Sequence, residues 1–86
     1  TKGGKDMENR IAVVAVIISD PEASGVVNEI LHEYRDYVLG RQGIPYREKG
    51  VSVISLILDA PQETLNGLSG KLGMVKGVKS KVLVTK

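Results

Sequence analysis

The sequence predicts an α+β domain, a four-stranded antiparallel sheet with two helices on one face, in the order β-α-β-β-α-β. Three observations predict it. Residues 10–18 and 51–58 are apolar, β-branched runs without alternation, as in strands buried on both faces. Each is followed by a segment with helical spacing of apolar residues, entered through an Asp and a Pro. The two remaining strand-like stretches, at residues 37–41 and 78–85, are mixed in polarity.

Arg10-Ile11-Ala12-Val13-Val14-Ala15-Val16-Ile17-Ile18 is the first strand. Ser19-Asp20-Pro21 ends it, with Asp20 suited to cap a helix and Pro21 to its first position. A helix then runs to about Tyr34, its stripe formed by Ala23, Val27, Ile30 and Tyr34, flanked by Val26 and Leu31. Gly25 in its first turns suggests something close to the backbone there. Tyr37-Val38-Leu39-Gly40-Arg41 reads as the second strand, and residues 42–50 as a long turn with Gly at each end and Pro45 in the middle.

The third strand is Val51-Ser52-Val53-Ile54-Ser55-Leu56-Ile57-Leu58. Asp59-Ala60-Pro61 opens the second helix, with Leu65, Leu68 and Leu72 on one stripe and Gly73 as its C-terminal cap. In the last strand Val78, Ser80, Val82 and Val84 share a face, and Lys79 and Lys81 point the other way. The right-handed crossover rule puts both helices on one face of the sheet, a ferredoxin-like arrangement. The first and third strands then lie in the middle. The opposite face is left with an apolar row from each, a patch that monomers seldom expose. A second subunit is expected on that face or beside it.

At 86 residues the chain is one domain, and one this short buries only roughly 60% of its unfolded surface, so self-association is a useful supplement. Residues 1–6 read as an appended or frayed tail and Met7 as the start of a single domain reaching residue 86. The absence of cysteine removes disulfides, thiol catalysis and Cys-ligated metal, and fits a cytoplasmic setting. No apolar run reaches the roughly 18–20 residues of a membrane span. A net charge of +2 draws the protein to neither membrane nor nucleic acid. The sheet also lacks aromatic platforms for nucleic acid, since Tyr34, Tyr37 and Tyr46 fall outside the central strands.

Residues that could carry chemistry are few. His32, with Asn28 and Asp36 a turn away, is too little for a metal site. Gly67, Gly70 and Gly73 lack phosphate-loop spacing, and their period of three reads as close helix packing or as backbone contact with a ligand or partner. No triad, carboxylate pair or metal cluster is evident, so neither enzyme nor cofactor is expected. In residues 41–50, Arg41, Arg47 and Lys49 surround Tyr46 with Glu48 the one acid, a segment able to hold an anion or dock on a partner, or simply a solvated turn. Ser19-Asp20-Pro21 presents backbone N–H groups that could take a carboxylate or phosphate, or serve ordinary capping.

Asn28-Glu29-Ile30-Leu31-His32-Glu33-Tyr34, the run from Gly40 to Glu48, and Ile54-Ser55-Leu56-Ile57-Leu58-Asp59 resemble the iron-only hydrogenase system regulators. Gly70-Lys71-Leu72-Gly73 and Gly77-Val78-Lys79 complete a resemblance that covers almost everything from Arg10 onward. Arg35 and Gln42 depart from it, where glycine and methionine are expected. The resemblance implies an ACT-like domain, similar to the ligand-binding C-terminal domain of nickel-responsive repressors. It implies a regulator that binds a small effector at a subunit interface near the first strand–helix turn, here Ser19, Asp20, Glu22 and Gly25. With Arg41, Tyr46 and Arg47 these form the candidate ligand-binding set. The repressors' nickel site needs histidines and a cysteine on strands, which this chain lacks. No ribbon-helix-helix segment precedes Arg10. The resulting expectation is an effector-sensing homo-oligomer, dimer or tetramer, that would regulate through a partner or an effector. The competing reading is an interaction scaffold that binds a protein and no effector.

Overall fold

A computed structural model describes residues 8–85, so the expected tail and the start at Met7 lie outside the described residues. The order is β1 (Asn9–Ile18), α1 (Ser24–Glu33), β2 (Val38–Tyr46), β3 (Val51–Pro61), α2 (Gln62–Gly73) and β4 (Val78–Val84). The four strands form one antiparallel sheet in the spatial order β2-β3-β1-β4. The two unalternating runs are the central strands, as their composition required.

One side of the sheet meets the helices. Val14 and Val16 of β1, Leu56 and Leu58 of β3, Val27 and Leu31 of α1, and Leu65, Leu68 and Leu72 of α2 are buried together in a core without aromatic rings. Val26, expected beside the α1 stripe, is exposed instead, one step round the helix from Val27. On the other side of the sheet, strand pairing aligns Leu83, Val13 and Ile57 in one row and sets Ile17 beside Val53 in another. Ile11, Val13, Ile17 and Ile57 are each 41–44% exposed and Leu83 73%. The bare apolar face is real.

Three local expectations change. β2 extends to Tyr46, so the turn shrinks to a short 3-10 segment, Arg47–Lys49, closed by Gly50 at φ 67°. Gly43 and Pro45 read as turn residues, but an edge strand tolerates a missing donor on its outer side, and β3 supplies the ladder that local composition does not advertise. β3 likewise runs on through Asp59, Ala60 and Pro61, because Ile11, Arg10 and Asn9 stand opposite as partners. Asp59 therefore caps nothing, and α2 begins after Pro61 without a side-chain cap. Finally, Gly73 is the last helical residue and not a left-handed cap; among the described residues the positive-φ glycines are Gly50 and Gly77.

The period-three glycines also separate. A Cβ on Gly67 would lie 3.1 Å from the Tyr34 hydroxyl, so α1 and α2 do approach closely there. Gly70 and Gly73 have open space, and packing does not explain them. Replacing Gly70 by alanine should raise stability by about 0.5–1 kcal/mol from helix propensity and a less flexible unfolded chain. Gly67→Ala should gain less, because Tyr34 must give way. Urea unfolding of the two variants side by side checks the contrast.

Candidate functional site

The first strand–helix turn is fixed from within. Ser19 donates twice to the Gly77 carbonyl, from its backbone N–H at 2.8 Å and its Oγ at 3.2 Å. Asp20 Oδ1 accepts the Glu22 N–H at 3.0 Å, the capping role its position suggested, and the helix enters through a 3-10 turn at Pro21–Ala23. Gly25 is exposed with nothing within 4 Å of a would-be Cβ, so no close approach explains it. Glu22 is exposed. Two of these four candidates are thus already engaged inside the chain.

The other three are divided between neighbouring grooves on the helix side of β2. Tyr46 and Arg47 line one with Pro21, Ser24, Pro45 and Ser52, where the start of α1 faces the β2–β3 turn. The Tyr46 hydroxyl donates to Glu48 Oε1 at 2.8 Å, which ties that turn to the end of β2. Arg41 lies further along β2 and donates from Nη2 to Asn28 Oδ1 of α1 at 2.8 Å. It lines a second groove with Asn28, His32 and Arg35. Those three were not in the sequence-derived set. Their spacing of three and four along the chain puts them on one flank of α1 and its exit. That stripe was visible, but which strand it would face was not.

Across the helix layer, Lys71 donates to both carboxylate oxygens of Glu33 at 3.0 and 3.1 Å and stands 5.4 Å from the centre of the Tyr34 ring. The hydrogen bond to Glu33 chiefly holds the ammonium pKa above its ordinary value, with desolvation opposing. The pair joins α1 to α2 at the surface. It stands apart from the residues that line the two grooves.

Among the described residues, no group of three His, Asp or Glu side chains could hold a metal ion, and no helix is long and apolar enough to cross a membrane. What the site offers is shape, two arginine-bearing grooves and an apolar sheet face.

Residues 10–82 match a family model described as "TM1266-like: Iron-only hydrogenase system regulator, putative". No curated protein matches the chain. Among solved structures, uncharacterized protein TM1266 from Thermotoga maritima is 35% identical, with a TM-score of 0.88 over 92% of this chain and 100% of that one. The C-terminal domain of the MgtC protein from Mycobacterium tuberculosis is similar in fold, at 17% identity and a TM-score of 0.70 over 94% and 93% of the two chains. A formyltetrahydrofolate deformylase from Pseudomonas putida KT2440 shares 17% identity at a TM-score of 0.61. That match covers 84% of this chain and 28% of the deformylase. The last two show the ferredoxin-like fold alone.

Proposed function

The chain belongs to the iron-only hydrogenase system regulator family, and from that premise we propose that it is a cytoplasmic regulatory subunit. In this reading it works as a homo-oligomer, dimer or tetramer, and responds to a small effector. It acts by binding, without catalytic chemistry. One observation carries the reading: the central strands keep Ile11, Val13, Ile17 and Ile57 half exposed on the face the helices leave bare. Covering each such side chain is worth about 1.5–3 kcal/mol between full exposure and full burial, so even part of that sum favours a partner on this face. The effector would sit where α1 faces β2, the region that holds Arg41, Tyr46 and Arg47.

A scaffold that binds a protein and no effector is the second reading. It is favoured by Ser19 and Asp20, whose polar groups are spent on internal bonds. A thermal-shift screen against amino acids, nucleotides, organic acids and metal salts separates the two. A ligand at about 100 times its Kd adds about 2.7 kcal/mol to the native state and should raise the melting temperature by roughly 10–20 °C. If every class leaves the melting temperature unchanged, the effector reading fails and the scaffold is favoured.

A further inference from the structure

We propose that the groove between the exit of α1 and β2 binds a small organic oxyanion, a carboxylate or a phosphate monoester, through Arg35 and Arg41. This rests on the effector-sensing reading above and gives it a site and a ligand class. The groove encloses about 450 Å³, the size range of pockets for small metabolites. Its polar lining is Asn28, His32, Arg35 and Arg41, with no carboxylate among the lining residues.

Both guanidiniums are oriented but largely unspent. Arg35 Nη1 donates to the His32 carbonyl at 2.9 Å, and Arg41 Nη2 donates to Asn28 Oδ1 at 2.8 Å. Each guanidinium carries five N–H donors in a planar fork, so most remain available. Among the described residues, neither has a carboxylate within 4.0 Å. Lys71, by contrast, is matched with Glu33 on the same helix layer. Two cations left without a counter-ion in one concavity create a positive potential that a ligand anion can answer.

The geometry also favours an organic anion over a bare ion. Arg41 is held across the groove by Asn28, which limits the ordering cost of a bidentate contact. The groove wall includes the part-exposed Val38, backed by the buried Leu31 and Leu56, and so offers a small apolar surface to a carbon skeleton. An oxyanion between the two guanidiniums with its hydrocarbon part on Val38 satisfies both kinds of lining. Inorganic phosphate satisfies one.

Isothermal titration of the full chain with succinate, adenosine monophosphate and inorganic phosphate tests this, and the three arms distinguish carboxylate, phosphate monoester and bare ion. One of the two organic anions should bind more tightly than inorganic phosphate, and more weakly as salt is added. Arg35→Gln and Arg41→Gln should each weaken that binding at least about tenfold, the loss of one charge-assisted contact. Lys71→Gln, which removes a positive charge at a residue that lines neither groove, should leave it unchanged. Thermal unfolding of each variant confirms that the fold is intact, and Arg41→Lys, which keeps the charge but loses the fork, should fall between wild type and Arg41→Gln. The proposal is overturned if neither organic anion binds, if inorganic phosphate binds best, or if both glutamine variants bind normally. If anions fail while an amino acid or metal shifts the melting temperature, the anion site falls and the effector reading stands. If no class binds, both fall.

Discussion

Val13→Asp should leave folded single chains in place of the proposed homo-oligomer. Val13 stands midway along β1, opposite Ile57 on one side and Leu83 on the other, in the middle of the face the helices leave bare. It is 41% exposed within one subunit, so a carboxylate there reaches water and the isolated fold tolerates it. Against a second subunit the same carboxylate must be desolvated opposite Ile and Leu side chains. Losing a buried valine costs about 1.5–3 kcal/mol, and burying an unpaired charge costs several more in practice. In a two-fold interface each change counts twice. Association should weaken by at least about a thousandfold, the equivalent of 4 kcal/mol. Sedimentation velocity at tens of micromolar reads the mass directly, with circular dichroism to confirm folding. A wild-type protein that sediments as a single chain would sink the self-association reading outright, and an unchanged mass for V13D would move the interface elsewhere.

Gly77→Ala should be the most damaging single methyl in the molecule. Gly77 lies in the turn that leads into β4, with φ at 81°. Its carbonyl takes both hydrogen bonds from Ser19, and an added Cβ would fall 2.5 Å from the Cβ of Asp20. Left-handed backbone costs an alanine about 1–2 kcal/mol, and the overlap requires the first strand–helix turn to shift, for a total of about 3 kcal/mol. In a domain of this size that lowers the melting temperature by roughly 12–24 °C. Gly50 is the control: its φ is 67° but nothing lies within 4 Å of a would-be Cβ. Gly50→Ala should cost about 1 kcal/mol, the conformational part alone. Equal losses in the two variants would show that the contact with Asp20 contributes nothing.

The parts of the fold that were legible in the sequence were those whose pattern reports burial. β1 and β3 carry apolar side chains on both faces because the helices cover one side and the sheet's bare face lies on the other, and β4 alternates because it is an edge. The outer half of β2 was hidden, since Gly43 and Pro45 carry the local signature of a turn and only their pairing with β3 makes them strand. The end of β3 was hidden in the same way by Asp59 and Pro61. Arg41, Tyr46 and Arg47 stood out as a polar segment, yet the structure divides them between two grooves. Asn28, His32 and Arg35 became relevant only through the placement of α1 against an edge strand, a long-range fact that no local spacing encodes.

The irregular outer margin of β2 has a consequence for growth. Pro45 offers no N–H, and the register slips between Val38 and Gly40, so that margin cannot zip evenly onto another chain. β4, at the opposite margin, has neither interruption. Lateral extension of the sheet is therefore expected at the β4 side of the molecule and not at the β2 side.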